Sequence, residues 1–201
     1  MAPATRVYIE TGKKRVFASA ADWPGWSRSG KTPEAAMESL AAYAPRYAKV
    51  AKLARLEVPK DATNFTVVER LKGDATTDFG APGAEAKEEA KKTPSELSRL
   101  ASLVDACWKY LDQVRAKAPE ELRKGPRGGG RDREKMYAHV VESEMGYARY
   151  IGLPLKQPDR DAMRKVFRKP VPDTKRSAAY IMRRTAWHAL DHAWEMEDRI
   201  P

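Results

Sequence analysis

The run Arg183-Arg184-Thr185-Ala186-Trp187-His188-Ala189-Leu190-Asp191-His192-Ala193-Trp194-Glu195 carries two of the chain's three histidines, four residues apart, with no proline or glycine among them. A stretch of this kind reads as helix. Asp173 or Thr174 is positioned to cap it, just after Pro170 and Pro172, and the pattern continues to about Arg199. Successive helical residues turn by about 100°, so i and i+4 project from one face about one turn apart. His188 and His192 therefore have the spacing two imidazoles need to reach one metal ion. The third histidine, His139, lies near the middle of a second helical pattern, Asp132 to Tyr150, which is closed by Gly152 and Pro154. If those two helices run antiparallel, all three imidazoles meet. Neutral imidazole suits zinc, nickel or iron(II), and three protein ligands leave at least one position open for chemistry.

Two more helices complete this half. Pro94-Ser95-Glu96 opens one whose apolar stripe is Leu97, Leu100, Val104, Cys107 with Trp108, and Leu111. A short one spans Asp159 to Arg168, stopped by Pro170. Four helices over residues 94–201 predict an antiparallel bundle. Cys107, the single cysteine, sits in an apolar stripe and reads as an inert buried thiol. Trp187 and Trp194 read as packing groups.

The first half has a different period. Arg6-Val7-Tyr8-Ile9-Glu10 and Arg15-Val16-Phe17-Ala18-Ser19 alternate as strands around a turn at Thr11 to Lys14. Thr32-Pro33-Glu34 opens a helix, with Ala36, Leu40, Tyr43 and Tyr47 on one side, that runs to about Ala54. Phe65 to Val68 is a third strand. Residues 1–72 thus read as a small β-β-α-β unit. Residues 73–93 read as a linker, in which Phe79 is expected to dock on a core. The fold class expected for the whole chain is α+β.

The formal net charge is +10 over 201 residues. By segment it is +6 for 1–72, −2 for 73–93 and +6 for 94–201, so the basicity is shared. Arg123 to Lys135 and Arg160 to Arg184 are the densest basic stretches. Aromatic interleaving of a nucleic-acid platform is missing from them, so solvated basic faces are the favoured reading and nucleic-acid contact is kept second. No apolar run approaches the ~20 residues needed to cross a bilayer. With one cysteine and no apolar leader after Met1, a cytoplasmic location is expected and no membrane partner.

Around the histidines, Glu142 is i+3 from His139 and Glu195 is i+3 from His192, so each is a candidate catalytic acid or base. Asp191 is a candidate to orient a ligand imidazole. The alternative for all three is an ion pair with Arg183, Arg184 or Arg199. The glycine-rich stretch before the His139 helix carries Arg127 and Arg131, which suit an anionic cosubstrate at a helix N-terminus. No Gly-Lys-Ser/Thr follows, so it is not a nucleotide P-loop.

Two resemblances follow from quoted runs. Tyr137-Ala138-His139-Val140-Val141-Glu142, together with Arg183 to Glu195, resembles the DinB superfamily, also called DinB/YfiT-like. That family implies a four-helix bundle with one histidine on the second helix and His-x-x-x-His on the last. It also implies a divalent metal, often zinc or nickel. The third helix is short for that family, with His139 and His188 only 49 positions apart. Ala20 to Trp26 and Ser29 to Ala36 resemble the HicB family, a partial ribonuclease-H-like unit that is generally not catalytic. The DinB resemblance implies a metal-dependent enzyme acting on a small-molecule substrate. Its candidate activities are thiol-dependent S-transfer, with a low-molecular-weight thiol as cosubstrate, and hydrolysis. The alternative class is a non-catalytic binding or regulatory protein with a structural or sensory metal. A homodimer is compatible with either.

Overall fold

A computed structural model describes residues 4–59, 61–125 and 130–201, and among them the architecture is α+β. Strands β1 (Thr5–Thr11), β2 (Val16–Ala20), β3 (Ser27–Gly30) and β4 (Phe65–Lys72) form one sheet in the order β3-β2-β1-β4. The hairpin β1–β2 and the pair β2–β3 are antiparallel, whereas β4 returns parallel to β1. Parallel return requires a crossover. The crossover is the helix pair α1 (Pro33–Ala42) and α2 (Ala44–Leu53).

Two local features differ from the sequence reading. The helix expected to run unbroken to Ala54 divides at Tyr43, because Pro45 has no N–H to continue the ladder and sits in the first turn of α2. The strand β3 has no apolar alternation to betray it; its pairing with β2 makes it a strand. Thr32 caps α1 as expected, its hydroxyl accepting from the Ala35 N–H.

The expected linker is structured. Helix α3 (Ala75–Phe79) is closed at its start by Asp74 and Thr77 in a reciprocal capping box. Phe79 does not dock; it is 91% exposed. The rest of the segment lies over the sheet face that carries Tyr8 and Glu10. The buried Glu10 carboxylate accepts from Thr77 Oγ1 and from the Gly83 and Ala84 N–H groups, at 2.5, 2.8 and 3.0 Å. Tyr8 donates to Glu88. Each contact satisfies a polar group that burial would otherwise strand.

Helices α4 (Pro94–Lys117), α5 (Arg133–Tyr150), α6 (Arg160–Arg168) and α7 (Ala178–Asp198) make up the second half. Thr93 and Glu96 form the capping box that starts α4, and Asp159 caps α6. Ser177, not Asp173 or Thr174, caps α7: Asp173 has φ +53, and the Thr174 hydroxyl donates to the Arg176 carbonyl. The bundle is antiparallel only in part. Trp108 meets Glu144 and Arg115 meets Glu134, so α5 runs against α4. Asp105 meets Arg164 and Arg168 while Asp112 meets Arg160, so α6 also runs against α4. Tyr110 donates to Glu197 and Leu97 lies near Ala178, so α7 runs in the same direction as α4.

One apolar cluster includes Val7, Ile9, Ala36, Leu40 and Tyr47 from the first half and residues of α4 to α7 from the second. The Trp23-Pro24-Gly25-Trp26 turn is wedged between them. Gly25 has φ +93, and a Cβ there would lie 2.7 Å from Leu190 Cδ1 and 3.2 Å from Cys107 Sγ. Only glycine meets both demands without strain. Trp26 stacks on Tyr47 at 5.3 Å and donates to the Leu40 carbonyl. Among the described residues no helix is long and apolar enough to cross a membrane.

Candidate metal centre

Helix α7 is buried on almost every side, and His188 and His192 project from it toward α5. Antiparallel packing brings His139 of α5 to the same point. One ring nitrogen from each histidine can be chosen so that all three lie within 4.8 Å of one another. His139 Nε2 and His188 Nε2 are 3.2 Å apart. Two nitrogens each ~2.1 Å from one tetrahedral ion lie roughly 3.4 Å apart, so this pair already has ligand spacing. The three rings meet edge to face, with centroids 4.8 to 5.1 Å apart.

The environment of His188 and His139 favours neutral imidazole, the form that binds metal. Burial, followed by the neighbouring His192 and His139, pushes His188 down to about 2. Burial and then the Arg131 charge lower His139 from its usual 6.5. The His188 Nδ1 is buried without a hydrogen-bond partner among the described residues. His139 and His192 are half-buried, so the cluster is reachable from outside. Trp187 stacks beside His188 at 5.8 Å, and Tyr147 presents an edge to it at 6.0 Å.

The surrounding carboxylates separate by position. Glu195 Oε2 lies 3.0 Å from His192 Nδ1, while its Oε1 accepts from Arg199 at 2.9 Å. That leaves Nε2 of His192 for the centre of the cluster, the arrangement in which a carboxylate fixes a ligand's tautomer. Glu195, expected as a catalytic acid or base, thus stands where the orienting carboxylate was expected to be Asp191, which instead pairs with Arg28 of β3 at 2.9 Å. Glu142 is exposed on α5, near enough for its charge to act on His139. Arg131 is exposed beside the cluster, and its carbonyl accepts from Arg199. Arg127 lies outside the described residues. The Cys107 thiol is buried, and burial pushes its pKa far up, which removes it as a nucleophile.

Tyr147 and Arg184 border the cluster and were not singled out by sequence as site residues. Arg184 stands four residues before His188, so i,i+4 spacing was the available signal. Nothing local marks Tyr147. Comparison of the chain with known protein families, with curated proteins and with solved structures finds no match.

Proposed function

We propose that this protein is a metal-dependent enzyme whose three-histidine centre acts on a small molecule, by thiol-dependent S-transfer or by hydrolysis. One observation carries the reading: three imidazoles from two helices converge in a partly accessible position, with one nitrogen from each within 4.8 Å of the others. Zinc or nickel fits this donor set best, with iron as a further candidate. Such an ion, when bound, supplies a Lewis acid that lowers the pKa of a water or thiol toward neutrality.

The chain's own groups divide the remaining work. Glu195 holds His192, and Arg199 holds Glu195, so the imidazole is fixed before any ligand arrives. Glu142, exposed and one turn along α5 from His139, exchanges a proton with solvent. Arg131 offers its guanidinium to an acidic cosubstrate. Trp187 and Tyr147 narrow the approach to His188. The apolar core is assembled from side chains on every element around the cluster, which favours a reactive ion over one that holds the fold together.

The test is a screen of the zinc- or nickel-loaded protein for consumption of a free thiol with electrophiles and for hydrolysis of esters and amides. Turnover that requires the metal and disappears in His188→Ala is expected, with the stripped protein keeping its circular dichroism. A loaded protein inert in both screens would overturn the enzyme reading. Unfolding on metal removal would instead assign a structural ion.

A further inference from the structure

Arg184 is buried, 8% exposed, and no carboxylate lies within 4.0 Å of its guanidinium among the described residues. A buried cation is ordinarily paired, because an uncompensated charge costs several kcal/mol to hold out of water. Its neighbour Arg183 obeys the rule through Glu89. Arg184 instead donates to the Pro82 carbonyl at 2.9 Å and lies over the rings of Tyr147 and Trp187, at 5.4 and 5.2 Å.

It lines a cavity of about 280 Å³ between the end of α5, the start of α7 and the 74–83 segment. Tyr147, Tyr150, Lys175, Arg176 and Tyr180 share that lining. Arg176 is matched by Glu85 at 3.2 Å. Asp74, the one carboxylate in the lining, is exposed, and its Oδ1 is taken by the Thr76 N–H at 2.7 Å. Lys175 lies 5.2 Å over Tyr150 and has no ion pair among the described residues. Three cations line the cavity against Asp74 in the lining and Glu85 outside it, so positive charge is in surplus where a buried guanidinium has no carboxylate partner among the described residues.

We propose that this cavity binds a small oxyanion, a carboxylate or phosphate group, with Arg184 as its anchor and Lys175 at its mouth. Guanidinium geometry matches both oxyanions through paired N–H donors. The tyrosine rings form walls on which the rest of an organic ligand can lie. Arg184 precedes His188 by one helical turn, Tyr147 lines the cavity and presents its edge to His188, and Trp187 lies against both Arg184 and His188. A ligand held here by its acidic group therefore extends toward the metal centre. That last step rests on the function proposed above; the anion site does not.

The experiment is calorimetric titration of the metal-stripped full-length chain, at low salt, with inorganic phosphate and separately with acetate. Saturable binding of at least one probe is expected, weakened about tenfold or more in Arg184→Gln, the loss of a charge-assisted pair. Lys175→Glu, an exposed substitution that leaves the fold alone, should weaken it several-fold and decides the matter if Arg184→Gln does not fold. Which probe saturates identifies the oxyanion. Failure of both probes to bind the unaltered chain, or equal binding by the variants, would overturn the site. Zinc content measured on Lys175→Glu should stay at the level of the unaltered chain, so loss of the anion site and loss of the metal centre are read separately.

Discussion

Arg183 and Arg184 are adjacent and both buried on α7, but only Arg183 has a carboxylate partner among the described residues. Arg183 donates to both oxygens of Glu89, at 2.7 and 3.0 Å, and both side chains are only 4% exposed. Removing one partner of such a pair leaves the other charge buried. Glu89→Ala should therefore destabilise the protein by about 3–5 kcal/mol, read from urea unfolding midpoints. A loss below about 1 kcal/mol would show that the pair behaves like a surface bridge. The sequence displays the two arginines but not their difference, because Glu89 is 94 positions from Arg183. The histidines are the opposite case. Their i,i+4 spacing is local, so His188 and His192 were legible as a pair. His139 was added by assuming an antiparallel neighbour, and the geometry brings all three together. The orienting carboxylate was not legible, since Asp191 and Glu195 are both near His192 and only packing sends Asp191 to Arg28.

Helix starts were the most readable elements, because a cap is a local hydrogen bond. Thr32 and the Pro94-Ser95-Glu96 start of α4 behave as expected, and the helix expected from Asp159 starts within one residue of it; the cap of α7 was misplaced by three residues or more. At α4 the Thr93 N–H and hydroxyl both donate to the Glu96 carboxylate, and the Thr93 N–H bond, first among the causes, holds that carboxyl down to about 2. Because the folded value lies below the usual 4.5, this contribution to stability is fully present above pH 4.5 and is lost as pH falls through about 2. Glu96→Gln should thus lower the melting temperature at pH 6 and approach the unaltered protein near pH 2. Parallel melting curves across that range would contradict the assignment. Strand β3 and the division of α1 from α2 were missed for complementary reasons. One is imposed by its neighbour in the sheet. The other rests on a proline that a run of helix-forming residues disguised.

At the level of the whole molecule, the histidine cluster depends on contacts that span the chain. Helix α7 is flanked by α4 and α5, and the Trp23–Trp26 turn packs close to Leu190, two residues from each of His188 and His192. Arg28 of β3 fixes Asp191, and Arg123 and Arg131 accept from Arg199 at the far end of α7. The sheet half and the segment 73–93 therefore brace the helix that carries two of the three imidazoles. Sequence periodicity assigned each half its class but could not show this bracing, which rests on pairings such as Arg28 with Asp191, 163 positions apart. In the function proposed here, the braced helix and α5 together hold one metal ion. Elemental mass spectrometry of the zinc-loaded protein and of its His188→Ala variant tests it most directly. About one ion per chain in the first and none in the second is the predicted result, since two remaining imidazoles seldom hold such an ion through purification. No metal in the loaded protein, or the same content in the variant, would contradict it.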